Sequence, residues 1–416
     1  MFKRVPGTKD ILTDEVYLWQ KIEEVSRSVF SLYNFREIRP PVIEYASLFN
    51  RSLGEFTEIV QKQMFLVRNQ EDIYALRPEG TASIVRAYIE NNLDKKGRFA
   101  KFYYIGPMFR LERPQKGRLR QFHHVGCEVI GSASPEIDVE VISLADKLLK
   151  SYSISGYKIK LNSLGCTEDK KKLTAILKEG LKNKLSGLCA DCNARFNHNI
   201  LRILDCKEKA CRQIVEGLNL REQYICPDCA GHFSEVTKGL DALKISYEIS
   251  PHLVRGLDYY TRTVFEISQE NLGAQDAVGA GGRYDNLVAE LGGPQLPAIG
   301  FAFGVERLLL AMNSPGSETG LKNLVFVITL GDEARAQGLK LLQAMRDSAI
   351  PSDTDYEEKS LKGAMRLAND SGARFVVIIG ENELKNNAVM LKDMSSGTQK
   401  EVKTDGLIAE LKAAIC

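Results

Sequence analysis

The sequence predicts an α+β protein in three parts: a strand-rich domain on a mostly antiparallel sheet, a helical insertion inside it, and a C-terminal α/β domain. Three observations carry this. A 20-residue stretch, FRLERPQKGRLRQFHHVGCE (109–128), has apolar runs on both sides of a basic, glycine-containing centre, the pattern of a long-looped hairpin. From about Thr167 to Glu248 the chain turns to Lys-rich helical patterns between two strand-rich stretches. Beyond a linker by composition, NSPGSETG, strands and helices alternate. The resulting boundaries are 1–166 and 249–312 for the two parts of the core, 167–248 for the insertion, 313–323 for the linker and 324–416 for the last domain.

Taken in order, residues 12–34 place Leu18, Ile22, Val25 and Val29 at helical spacing, with Trp19 beside them, so an amphipathic helix is expected. In FREIRPPVIE, Pro40 and Pro41 forbid that helix beyond Arg39, and a strand is expected. QMFLVRN and DIYALRP read as strands joined by a turn at Asn69–Asp72. Thr81 then stands as N-cap before Ile84, Val85, Tyr88 and Ile89, with Glu79 just upstream in either a solvated turn or a site. After the hairpin, EIDVEVISLADKLLKSY is helical and YKIKLNSLG extended; LVRGLDYYTRTVFEIS resumes a strand. VGAGGRYDNLVAELGG holds five glycines, and AIGFAFGVERLLLAM passes from strand to helix at Glu306 and Arg307. The closing stretch, with LVFVITLG, ARFVVIIG and GLIAELKAAI, alternates as a small α/β domain with a partly parallel sheet.

Composition narrows the function. The 416 residues are 44% hydrophobic and 26% charged with formal net charge +2, which excludes a histone-like binder. No apolar run approaches the roughly 18 residues of a membrane span, and the N-terminus lacks a signal-peptide core, so a cytoplasmic protein is expected. Against that near-neutral total, Arg110, Arg113, Lys116, Arg118 and Arg120 crowd into eleven positions, which suits a highly charged ligand.

Arg110, Arg255 and Arg307 each sit where an apolar strand begins or ends. A guanidinium so placed needs a partner, and its planar fork suits phosphate or carboxylate. Each alone reads equally as a structural ion pair; the three together favour a polyanion such as a nucleotide. GxxxxGK[ST], GxGxxG and HExxH are all absent, so a nucleotide would be held by arginines on the sheet.

Six of the nine cysteines lie between Cys189 and Cys229. Two CxxC pairs, Cys189/Cys192 and Cys226/Cys229, make a knuckle-like set for structural Zn2+, with Cys206, Cys211 and His232 as substitutes. The other reading is buried, reduced cysteines packing as small hydrophobes.

These motifs carry a resemblance. FRLERPQKGRLRQFHHVGCE resembles the second signature of class II aminoacyl-tRNA synthetases in its histidyl form. LVRGLDYYTRTVFE resembles a stretch peculiar to histidyl-tRNA synthetases, GFAFGVERLL the third class II motif, REIRPPVIE with its helix the first, and LRPEGT the amino-acid-binding turn. The resemblance runs from Gly7 into the C-terminal domain. It implies the class II synthetase fold, an anticodon-binding C-terminal domain, a homodimer, and ATP-dependent ligation of L-histidine to tRNA(His) through histidyl-adenylate.

By position, the resemblance implies that Glu79, Gly80, Thr81 and His124 surround the α-amino group, and that Glu128, Tyr260 and Tyr259 surround the imidazole. Arg110 and Arg255 would act in catalysis on the α-phosphate and carboxylate, with Arg118 and Arg307 at the β/γ end of ATP and Mg2+ shielding the triphosphate. Gln115 and Arg120 would touch the acceptor end of the tRNA. The family usually carries glutamine where this chain has His124. A neutral imidazole can accept the ammonium hydrogen bond in its place, so activity is expected to fall more steeply in acid than in a His124→Gln variant. A non-catalytic regulator or tRNA sensor built on the same frame is the alternative reading.

Overall fold

The computed structural model describes residues 2–54, 57–97, 99–218, 220, 224–312, 323–357 and 359–415. The chain divides into two compact units, Met1–Pro315 and Gly316–Cys416. The expected linker lies almost entirely outside the described residues.

Eleven strands belong to the first unit: β1 Arg36–Glu37, β2 Ile43–Tyr45, β3 Phe65–Asn69, β4 Asp72–Leu76, β5 Ala100–Phe109, β6 Gln121–Ile130, β7 Tyr157–Ser163, β8 Glu248–Ile249, β9 Thr261–Gln269, β10 Ala277–Arg283 and β11 Ala298–Gly304. Eight of them form one sheet in the order β1-β5-β6-β11-β10-β9-β7-β8. Its interior pairs are antiparallel and only the edge strands β1 and β8 run parallel to their neighbours, so the sheet is mostly antiparallel as expected. β2, β4 and β3 make a small separate sheet.

The first helix, Thr13–Leu32, stops before the prolines are reached. Asn34 takes a left-handed φ of 60°, and the Phe35 amide turns back to the Phe30 carbonyl, closing the helix C-terminus. The strand read in REIRPPVIE is correspondingly reduced to Arg36–Glu37 and Ile43–Tyr45.

Period-two alternation on β6 sets up everything that follows. Val125, Cys127 and Val129 enter the core beneath the helices Thr13–Leu32 and Pro135–Ser151, with Ile299, Phe301 and Phe303 of β11. His124, Gly126 and Glu128 therefore face the other side. In register with Glu128 stand Gly300 of β11 and, one strand further, Gly282 of β10. A β-carbon at Gly300 would lie 1.8 Å from Glu128 Oε2 and 2.4 Å from the Cys127 carbonyl oxygen, so glycine is what lets the buried carboxylate lie against the sheet. Near one end of the sheet, the fully buried Arg283 pairs with the fully buried Asp138 at 2.7 Å and also donates to the Ser132 and Ser134 carbonyls.

In the second unit, β12 Val325–Thr329, β13 Ser352–Thr354, β14 Phe375–Ile379, β15 Ala388–Asp393 and β16 Gln399–Lys403 form a sheet ordered β13-β12-β14-β15-β16. The first three strands run parallel and the rest antiparallel. Alternating residues of β12 and β14 feed two apolar clusters, one with Leu341, Leu342 and Leu411, the other with Ala364 and Ala368. That is the partly parallel α/β arrangement the sequence predicts.

Candidate active site

On the glycine-bearing face of the large sheet lies a cavity of about 200 Å3. Glu79, Gly80, Thr81, Arg110, Arg118, His124, Glu128, Arg255, Tyr259, Tyr260 and Arg307 all line it, so residues from four separate stretches of sequence meet there.

Glu128 is buried on β6 and accepts hydrogen bonds from Thr81 Oγ1 at 2.7 Å and from the Tyr284 hydroxyl at 2.5 Å. Burial pushes its carboxyl up to about 8, against the pull of these two donors. Glu79 is buried too, which excludes a solvated turn residue. Its carboxylate accepts the backbone N–H groups of Thr81 and Ala82 at 2.7 and 2.9 Å, at the start of the helix Thr81–Glu90. Glu79 thus does the capping the sequence reading gave to Thr81, and Thr81, already the first helical residue, turns its hydroxyl to Glu128 instead. Burial raises the Glu79 carboxyl, while those amides and the Arg110 charge oppose the rise.

The Nδ1 of His124 is buried with no hydrogen-bond partner among the described residues. Burial first, then the charges of Arg110, Arg77 and Arg307, hold its imidazole well below the usual histidine range. The surroundings therefore favour the neutral, hydrogen-bond-accepting ring, and on that direction a His124→Gln variant should differ little from the unmodified protein in its pH dependence.

The arginines are held partly by carbonyls and partly by carboxylates. Arg110 Nε donates to the Pro78 carbonyl at 2.9 Å, and its guanidinium lies 5.2 Å from the centre of the Phe122 ring. Arg307 donates to two carbonyls, Gly117 at 3.0 Å and Ala277 at 2.6 Å. Glu112 is shared, 3.3 Å from Arg118 and 3.9 Å from Arg110. Arg255 pairs with Glu266 at 2.5 Å while its buried Nε has no partner among the described residues. Carbonyl dipoles stabilise a cation without cancelling its charge, so the Arg110 and Arg307 forks can still meet an anion.

The hairpin loop is anchored to the chain's start: Arg120 N donates to the Gly7 carbonyl and Arg120 Nη1 to the Pro6 carbonyl. Gln115 pairs with Arg118 in a tight turn around Gly117. Neither Gln115 nor Arg120 lines the cavity. Sequence reasoning missed Tyr104, Glu112, Glu266, Tyr284 and Gly300. Strand alternation could have put Glu266 and Gly300 on the site face; nothing local marks Tyr284 as the donor to Glu128.

The cysteines are also grouped differently from the sequence reading. Cys189 and Cys192 gather with Cys206 and Cys211, whereas Cys226 and Cys229 gather with Cys166 and Asp169. Each CxxC pair opens a helix, Ala190–His198 or Pro227–Ala242, and each helix start packs against a different part of the chain. His232 joins neither cluster; its Nε2 lies 2.9 Å from Asp138.

Comparison with known proteins identifies the family. Residues 7–308 match the histidyl-tRNA synthetase family model and residues 324–414 the anticodon binding domain model. The histidine–tRNA ligase of Thermodesulfovibrio yellowstonii is 45% identical over 403 residues, 97% of this chain and 96% of that protein. That of Moorella thermoacetica is 46% identical over 402 residues, 96% and 95% of the two chains. The apo histidyl-tRNA synthetase of S. aureus superposes with a TM-score of 0.82 at 34% identity, covering 99% of this chain and 100% of that one. By fold, cavity and sequence together, the chain belongs to the histidyl-tRNA synthetase family.

Proposed function

We propose that the cavity activates L-histidine with ATP and passes the histidyl group to tRNA(His). The chain is a class II histidine–tRNA ligase by its relatives, and the proposal concerns which residues do the work. One observation supports it above the others: Arg110, Arg255 and Arg307 line the same cavity as Glu128.

The histidine carboxylate is already ionised near neutral pH, so attack on the α-phosphorus needs no general base. Catalysis is then positioning and charge stabilisation. Arg110 and Arg255 hold the carboxylate against the α-phosphate and take up the charge that grows on phosphorus as diphosphate leaves. Arg118 and Arg307 bind the leaving end. Magnesium, when bound with ATP, shields the triphosphate. No cysteine lines the cavity, so a metal on the cysteines would serve structure.

Glu128 and the Tyr260 hydroxyl recognise the two imidazole nitrogens, with Tyr259 as wall. The unpartnered His124 Nδ1 and the Glu79 carboxylate accept from the ammonium group. Substrates lacking these donors leave buried acceptors unsatisfied, the strong form of discrimination. Gln115 and Arg120, on the basic loop, meet the acceptor end of the tRNA, and the second unit reads the anticodon. We assign residues 167–248 as the insertion in the catalytic core. A homodimer is proposed on the small sheet, where Ile43, Tyr45, Leu66, Val67 and Ile73 stand exposed. Among the described residues no helix is long and apolar enough to cross a membrane. We assign the proposed enzyme to the cytoplasm, where its tRNA substrate would be used.

Histidine-dependent ATP/diphosphate exchange, followed by charging of tRNA(His), tests this. Arg255→Ala should lower exchange at least ~100-fold with an unchanged melt, as removal of an electrostatic contact to a transition state does. Unaltered exchange in Arg255→Ala would refute the role given to Arg255, whereas histidine binding without exchange in the unmodified protein would favour the regulator instead.

A further inference from the structure

We propose that Cys189, Cys192, Cys206 and Cys211 form a structural zinc site that fixes the module supporting the histidine-binding turn. The four Sγ atoms lie within 4.8 Å of one another, and those of Cys189 and Cys206 are 3.9 Å apart. A tetrahedron of thiolates around Zn2+, with Zn–S near 2.3 Å, has edges of about 3.8 Å. The spacing is far beyond the roughly 2 Å of a disulfide, and all four cysteines are free. It is also too tight for an iron–sulfur cube, whose thiolates stand further apart around a larger core.

The surroundings fit a bound metal. Cys192, Cys206 and Cys211 are buried and Cys189 is half-buried, so water has little access. The Cys189 amide donates to Cys211 Sγ at 3.2 Å, a contact that favours the thiolate. Arg212 Nε donates to the Cys206 carbonyl at 3.1 Å and brings positive charge beside a site that would carry net charge −2. Four thiols lose their protons to solvent as the metal binds, so uptake should release up to about four protons. The local chain also needs a tie: helices Ala190–His198, Ile200–Ile203 and Lys209–Glu216 are each too short to stand alone.

The second cluster is built differently. The Asp169 carboxylate already accepts the backbone amides of Cys166 and Cys226 at 3.3 and 3.1 Å, joining two helix starts. It supplies the control.

The zinc module touches the catalytic stretch directly. Asn199 Nδ2 donates to Asp258 Oδ1 at 2.9 Å, and the Arg202 guanidinium lies against Gly256, where a β-carbon would come within 2.8 Å of it. Both contacts fall on the turn between Arg255 and Tyr259. Loss of metal should therefore loosen that turn and raise the KM for histidine more than that for ATP.

Protein produced with zinc supplied should contain about one zinc per chain, or two if the second cluster also loads. Cys206→Ser should lose one equivalent, lower the Tm and raise the KM for histidine several-fold; Cys229→Ser should keep that equivalent. In case Cys206→Ser fails to fold, mercurial titration of the unmodified holoprotein should release zinc in step with modification of four thiols. Cobalt exchanged into the same protein should show the thiolate charge-transfer and tetrahedral d–d bands. Less than about 0.2 zinc per chain, iron in its place, disulfides among these four residues, or zinc lost from Cys229→Ser but kept by Cys206→Ser would each overturn the proposal.

Discussion

Replacing Glu128 with glutamine should make the empty protein more stable while disabling histidine recognition. Burial holds this carboxyl near 8 instead of its ordinary 4.5, and at ~1.4 kcal/mol per unit the shift corresponds to about 5 kcal/mol at full development. The sign follows from the order of ionisation. An unfolded chain loses this proton near 4.5 and the folded one near 8, so the contribution is whole below 4.5 and is lost as pH rises through 8. Between about pH 6 and 8 the native protein should lose about 2 to 3 kcal/mol from this group alone. Glutamine does not ionise and keeps an acceptor oxygen for Thr81 or Tyr284, so the variant should escape that loss. Urea unfolding followed by the single tryptophan, the buried Trp19, reports on the first unit. Histidine affinity, measured by calorimetry above pH 8 where Glu128 is ionised, should fall about 10- to 100-fold with loss of a hydrogen bond to a charged group. Parallel stability losses for both proteins over that pH interval would refute the buried-carboxyl reasoning.

Three further outcomes are expected. Because Glu128 titrates near 8 and free histidine's ring near 6.5, kcat/KM for histidine should be bell-shaped with limbs at those values. His124→Gln should leave the acid limb in place; a limb shifted by more than about half a unit would show that His124 titrates in the working range. Gly300→Ala must move either Glu128 or the β6 backbone, so exchange should drop at least ~100-fold, with ~1–3 kcal/mol lost in urea unfolding, as overpacking costs; near-normal histidine affinity would contradict the close approach. Arg283→Met leaves Asp138 buried with, among the described residues, only His232 as side-chain partner and should cost about 3–5 kcal/mol in the same assay, with little change in histidine affinity of the folded fraction.

Part of this site was legible because His124 and Glu128 sit on a strand whose alternation is written in the chain. Val125, Cys127 and Val129 declare one face of β6, so His124 and Glu128 must share the other. Arg110, just past β5, and Arg307, shortly past β11, were readable as charges at the ends of apolar strands, whereas Arg255 lies in the turn between β8 and β9. What stayed hidden depends on distance in space. The pairing of Cys189/Cys192 with Cys206/Cys211 is decided by which helix starts pack together, and either pairing satisfies the same spacing. Tyr284 reaches Glu128 across 156 positions of sequence. The cap at Glu79 was misassigned because a carboxylate one position before the turn can fold back as well as a hydroxyl can cap in place.

Arg307 holds the Gly117 carbonyl at the tip of the basic loop with the same guanidinium that faces the cavity. Its Nε is committed to the loop and its Nη1 to the Ala277 carbonyl, so an anion that draws the whole side chain inward would pull on the loop contact. Occupancy of the pocket is thereby coupled to the freedom of residues 110–120, and protease access at Arg113 or Lys116 would sense a ligand that never touches either residue.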